Sequence, residues 1–278
     1  KTAGAATAWL RSPSGSTAHL WATRTQTGPD DPVADQSDQR RFDAWEHRHR
    51  TTGTSEVIPA ATVVVMRDGP SGLELLMLRK NSKVAFGGMW VFPGGRIDDG
   101  DAVVDAEGNP DELATAAVAA AREATEEASV VVDPASLVWF SHWVPPPITP
   151  KRFSTFFFAS RLAADAVVAI DDGEITEHQW LRPAEALERR DAGEVELAPS
   201  TWMTLKLLTG WECVDESLAG LAEMQPVFYE THIGRSNDGP VAMWDGDAGY
   251  ADSDPEVPGA RHRLTMGQDG YSFEHTAN

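Results

Sequence analysis

A single cysteine, Cys213, stands in 278 residues, so no intramolecular disulfide staples this fold. The scarcity of thiols fits a reducing compartment, and a cytoplasmic location is the expectation. No apolar stretch reaches the roughly 20 residues that a membrane span requires, and residues 1–25 lack the apolar block of a secretory signal, so no membrane is expected among the partners. Basic residues are few: 23 Lys and Arg against 43 Asp and Glu give a formal net charge of −20. That deficit excludes a long contact with a nucleic acid polymer, which draws on cations to neutralise phosphates. A small anion stays admissible only with a local device, either a bound cation or a few focused arginines.

What is present suits one large domain, or a medium one with appendages, with core enough to need no cross-links. Residues 1–54 are rich in Thr, Ser, Ala, Gly, Asp and Arg without a sustained period of 2 or 3.6, and read as a poorly ordered leader. Only Arg40–Arg50 has the makings of a short helix, and His47 and His49 within it read as solvated, for want of convergent metal ligands. The chain opens on Lys1, as a fragment would.

Order is expected over residues 55–209. The β-branched run Ala60–Met66, the turn Arg67–Pro70 and the returning run Leu73–Leu78 predict a hairpin. A strand at Trp90-Val91-Phe92 then meets the glycine turn Pro93-Gly94-Gly95. An alanine-rich helix is predicted over Asp111–Ala128, opened by Pro110 and by acidic residues that complement its dipole. Strands at Leu137–His142, Phe153–Ser160 and Glu177–Leu181 and helices at Pro183–Arg190 and Pro199–Leu208 complete an α/β class fold, with helices on the faces of a mixed sheet. Residues 210–278 read as an extension packed on this domain, with a strand at Met224–Thr231, a loop over Ser236–Gly259, and a hairpin of Arg261–Met266 and Tyr271–Glu274 around Gly267–Gly270.

The chemistry concentrates in the helix. Glu123, Glu126 and Glu127 stand at positions i, i+3 and i+4, so their side chains leave one face within reach of a common point. Such carboxylates repel one another unless a cation lies between them. Mg²⁺ (or Mn²⁺) suits them, as a hard ion that binds through a few carboxylates plus substrate phosphates. Arg122 is placed to orient those carboxylates or to touch phosphate. An acidic run on a helix is ordinarily a solvated face. Here it follows Phe92–Asp101, where Gly94 and Gly95 let the backbone approach a ligand closely, giving a strand–loop–helix unit suited to a metal diphosphate.

That unit resembles the Nudix box, G-x5-E-x7-R-E-U-x-E-E-x-G-U, where U is a bulky apolar residue. Gly95 takes the leading glycine, and Asp101 falls at the first glutamate as a shortened carboxylate. Between Asp101 and Arg122 lie 20 residues rather than seven, so the loop carries 13 extra, Glu107–Pro110 among them. Arg122, Glu123, Glu126 and Glu127 match in order. Ala124 is small for its apolar site, Ser129 replaces the last glycine, and Val130 fits the final position. Lengthening a surface loop this far costs on the order of 1 kcal/mol in closure entropy. The expanded loop, with Leu76–Lys80, Trp90–Gly95 and Ile148–Thr155, is similar to a Nudix subgroup of peroxisomal coenzyme A diphosphatase-like proteins. The likeness runs from about Val57 to Leu208.

The resemblance implies a Nudix-type α/β/α sandwich with a mixed β-sheet. It implies hydrolysis of a diphosphate linkage in a nucleoside diphosphate derivative, with Glu123, Glu126 and Glu127 as metal ligands and Glu123 alternatively the base. Glu174 or Glu177 would supply a further ligand or the base, as late acidic residues do in relatives. Gly94 and Gly95 would cradle the diphosphate. Arg152 is a candidate phosphate clamp through its bidentate fork, while His142, inside an apolar strand, reads as a packed partner. A coenzyme A derivative, ADP-ribose, dinucleotides and oxidised nucleotides all stay open as the small-molecule substrate; Leu78–Gly88 only loosely approximates an arginine- and glycine-rich coenzyme A signature. The competing reading is a Nudix-fold sensor that binds a metabolite without turnover, against which the intact acidic helix speaks. Many Nudix proteins dimerise, so a homodimer is the assembly to test.

Overall fold

The computed structural model describes residues 34–81, 87–163, 166–170, 173–267 and 270–276. The expected leader over residues 1–33, part of the stretch before Gly87, and Gln268-Asp269 of the expected hairpin turn lie outside them.

Nineteen residues of the expected leader are helical: α1 spans Ala34–Thr52. Its sequence is too charged to show an apolar stripe, yet Phe42 is buried at 5% exposure in the main core with Trp45 packed against it. Two ion pairs from Arg235, to Asp43 at 2.7 Å and Glu46 at 2.9 Å, hold α1 to the C-terminal part of the chain. Tertiary partners, rather than local pattern, make this helix.

The hairpin is formed by β1 (Val57–Gly69) and β2 (Gly72–Lys80), followed by the short strands β3 (Trp90–Val91) and β4 (Gly94–Arg96). Helix α2 covers Glu112–Ala128, capped at its start by the Asp111 carboxylate, which accepts from the Ala114 N–H at 2.9 Å. Strands β5 (Val138–Val144), β6 (Arg152–Arg161) and β7 (Ile175–Leu181) follow, then helices α3 (Pro183–Asp191), α4 (Pro199–Leu208) and α5 (Val214–Glu223), then β8 (Val227–Glu230), β9 (His232–Ser236), β10 (Gly239–Met243), β11 (His262–Gly267) and β12 (Gly270–His275).

Eight strands make one mixed sheet along β3-β2-β1-β6-β5-β8, with β4 on β1 and β7 on β2. β1 lies parallel to β6 and antiparallel to β2. Because β1 is apolar on both faces, alternation sends Val64 and Met66 into one core and Val63 and Val65 into another. The second core is roofed by the alanines of α2, and the first by α1, α3, α4, α5 and a second sheet, β12-β11-β10-β9. The expected α/β class with a mixed sheet and helices on both faces is what forms.

The C-terminal residues depart from expectation in detail. β10 forms inside the expected loop of Ser236–Gly259 and pairs with β9, just before it, since Val241, Ala242, Met243 and Trp244 are too short an apolar run to stand out among Asp and Gly. The hairpin of β11 and β12 forms as expected, and β8 joins the main sheet beside β5. Among the described residues no helix is long and apolar enough to cross a membrane.

Candidate functional site

The β1–β4 pairing brings the glycine turn to the carboxylate helix. Thr62 sits opposite Gly94 and Ala61 opposite Gly95, and the Thr62 hydroxyl donates to the Pro93 carbonyl at 2.6 Å. A Cβ at Gly94 would meet the Ala61 carbonyl oxygen at 2.7 Å, and one at Gly95 would collide with the Glu123 carboxylate. Both glycines are therefore set by close approach, the first of backbone to backbone and the second of backbone to a candidate functional group.

Glu127 is buried and its carboxylate is fully engaged: Lys80 Nζ donates to Oε1 and the Gly94 N–H to Oε2 at 3.0 Å. Burial pushes the Glu127 carboxyl above the usual carboxylate range, with Lys80 opposing. Glu123 is also raised, by burial first; Arg122 opposes, while Glu127 and Glu126 push the same way as burial. One nitrogen of Arg122, Nη1, lies between Glu123 at 2.9 Å and Glu126 at 3.0 Å. The other guanidinium nitrogens grip Asp101, Nε to Oδ1 and Nη2 to Oδ2, each at 2.9 Å. Arg122 accordingly holds Asp101 well below the ordinary range of an aspartate.

The three glutamates therefore share one region but not one point. Glu126 is largely exposed, Glu123 and Glu126 meet at Arg122, and Glu127 turns to Lys80. Among the described residues no three His, Cys, Asp or Glu side chains are drawn together at metal-ligand spacing. The donor chemistry nonetheless fits a hard divalent cation: carboxylate oxygens only, two with raised proton affinity, and a pair of protein cations already inserted among them.

The site opens on a cavity of about 920 Å³. Its wall includes Lys80, Gly94, Gly95, Arg96, Arg122, Glu123, Glu126, Glu127 and Glu174, and continues over α1, the loop before β6, the start of α4 and the second sheet. Arg41, Lys80, Arg96, Arg122 and Lys151 supply positive charge at this cavity in a strongly acidic protein.

Two sequence candidates lie elsewhere. Arg152 is not in the cavity wall, since alternation along β6 presents Phe153, Thr155 and Phe157 to it and leaves Arg152 donating to the Pro145 carbonyl at 3.1 Å. Glu177 is likewise off the wall; it accepts from the Gln179 amide at 2.6 Å and lies 3.6 Å from Arg79. Its neighbour Glu174 lines the cavity instead, 3.6 Å from Lys80. The family pattern gives Lys80 no role; its place at the end of the apolar run Leu75–Leu78 is the signal the sequence offers. His142 packs as expected, against Phe156 and 2.6 Å from the Ser154 hydroxyl.

Residues 57–200 match the NUDIX domain. The acyl-coenzyme A diphosphatase NUDT19 of Xenopus laevis is 29% identical over 137 residues, covering 45% of this chain and 34% of that protein. The chain thus spans about a third of the length of that relative. A crystal structure of a NUDIX hydrolase from Alicyclobacillus acidocaldarius superposes with a TM-score of 0.51 at 22% identity, over 59% of this chain and 96% of its own, a likeness that bears on the fold. With just over half of its length matched to the domain, this chain belongs to the Nudix family.

Proposed function

We propose that this chain is a Nudix pyrophosphohydrolase: water attacks one phosphorus of a P–O–P linkage in a nucleoside diphosphate derivative, and the two halves leave as phosphate monoesters. The observation that carries the reading is the acidic face of α2 seated against Gly95 at the wall of a large cavity. The Nudix membership and the relative's diphosphatase name support it, and that name makes an acyl-coenzyme A the first substrate to try.

Glu123, Glu126 and Glu127 would hold Mg²⁺ or Mn²⁺. When bound, the cation supplies charge neutralisation on the bridging and leaving oxygens and lowers the pKa of water. Alternatively Glu123 accepts the proton that the attacking water loses, and Glu126 and Glu127 alone hold the cation. Lys80 and Arg96 are suited to bind the diphosphate oxygens, and the Gly94-Gly95 backbone admits them closely. Arg122 positions Glu123 while anchored on Asp101. Glu174 is the better-placed late acidic residue for a supporting role. The single Cys213 agrees with a reducing, cytoplasmic setting.

A product-mass screen of diphosphates, acyl-coenzyme A, ADP-ribose and dinucleotides among them, run with Mg²⁺ beside Glu127→Gln tests this. A cleaved diphosphate in the parent and a loss of roughly 10²-fold or more in the variant are expected. Equal turnover in both, or none in the parent, refutes the proposal.

A further inference from the structure

One part of the cavity wall comes from outside residues 57–200, the segment matched to the family. Phe42 and Trp45 arrive from α1, and Ile233, Met266 and Tyr271 from the second sheet. These five side chains are apolar or aromatic, unlike the charged wall around α2. Thr149, in the loop between β5 and β6, also lines the cavity; it is 5% exposed, and its hydroxyl has no hydrogen-bond partner among the described residues. A buried hydroxyl without a partner is costly, and the cost is recovered when a ligand atom pairs with it.

We infer that α1 and the second sheet close the cavity into a specificity chamber, which takes an apolar substituent of the substrate bearing one hydrogen-bonding group that meets Thr149. The inference rests on the diphosphate reading, and names what the enzyme selects on the side of the substrate away from the bond it cleaves. An apolar concavity with few placed polar atoms is the general form of such a subsite. Discrimination there follows buried area, at about fourfold per methylene.

The probes are methyl, butyl and octyl esters of ADP, cleaved by water to AMP and the alkyl phosphate, with a second octyl set carrying an amide at successive positions. kcat/KM should climb from methyl to octyl in the parent. Trp45→Ala, which removes one wall, and Ile233→Trp, which fills the chamber, should each lower the octyl-to-methyl ratio at least tenfold, with melting temperatures confirming that both fold. One amide position should raise kcat/KM in the parent and in Thr149→Ser but not in Thr149→Val. A ratio independent of chain length, or unchanged in both wall variants, or no amide position that depends on Thr149, overturns the chamber while leaving diphosphate cleavage standing. If no ester is cleaved, calorimetric binding of the octyl ester decides. Binding that weakens tenfold in Ile233→Trp keeps the chamber, no binding overturns it, and the hydrolytic reading is decided separately by the diphosphate screen.

Discussion

Arg122 grips Asp101 through two parallel hydrogen bonds of 2.9 Å, one to each carboxylate oxygen, across the expanded loop of the box. Asp101 is 3% exposed and its Oδ2 also accepts from the Asp98 N–H at 2.8 Å. The 13 extra residues therefore leave the loop's near end tied to the helix, and the shortened carboxylate keeps its place in the box. Between its paired ends the insertion closes on itself, with Val104 bridged to Pro110 and Asp105 accepting from Asn109.

Arg122→Lys keeps the charge beside Asp101 but cannot reproduce the fork, and should lower stability by about 1 kcal/mol in urea unfolding. Its activity loss should exceed what stability explains, since the same guanidinium also orients Glu123. Retention of full stability would show that the pair is incidental.

The two box glycines should separate by phenotype. Gly94→Ala drives a Cβ into the Ala61 carbonyl, and should cost about 2 kcal/mol. Gly95→Ala meets only the end of the Glu123 side chain, so the fold should lose less than about 1 kcal/mol while kcat falls about tenfold as that carboxylate is displaced. Thermal unfolding and initial rates on both variants check this, and equal stability losses would contradict it.

Local sequence pattern specifies only part of this arrangement. The β1–β2 hairpin, α2 and the order of the box residues follow from local pattern, because a buried central strand and a capped alanine-rich helix write their periods plainly. Lys80 and Arg152 do not. Whether a charged side chain at a strand end faces the cavity depends on pairing register, and one step along β6 separates Phe153 in the wall from Arg152 outside it. The short helix expected over Arg40–Arg50 forms as part of the longer α1, whose docking the sequence does not show, since Phe42 and Trp45 find their partners only in residues far along the chain.

Ser129 ends α2 in the left-handed region, with φ 57° and ψ 24°, where the box pattern has glycine. A side chain there is strained. Its hydroxyl recovers part of the cost by donating to the Ala169 carbonyl at 3.0 Å. Ser129→Gly should stabilise the fold by about 0.5 kcal/mol, read as a rise in melting temperature of one or two degrees. A fall of that size would show that the hydroxyl outweighs the strain.

Part of the acid sensitivity should reside beside the second sheet. Arg263 clasps Asp247 through Nε at 2.7 Å and Nη2 at 2.6 Å. Burial alone would raise this aspartate, but Arg263 and the His262 and Gly249 N–H groups overcome it and hold the pKa at about 2. A carboxylate depressed on folding stabilises the fold above its unfolded pKa of roughly 4, and that contribution is lost as pH falls towards 2. Asp247→Asn should cost about 3 kcal/mol at pH 7 and flatten the stability profile between pH 4 and pH 2. An unaltered profile would place the acid sensitivity elsewhere.

The central claim is that the acidic face of α2 is a divalent-cation site, and a Mg²⁺ titration of the melting temperature tests it most directly. Saturation at ten times the dissociation constant should add about 1.4 kcal/mol, a rise of roughly three to five degrees. Glu123→Gln and Glu127→Gln should abolish that rise. A parent that Mg²⁺ and Mn²⁺ leave unchanged at millimolar concentration, or variants that respond as the parent does, would contradict the account.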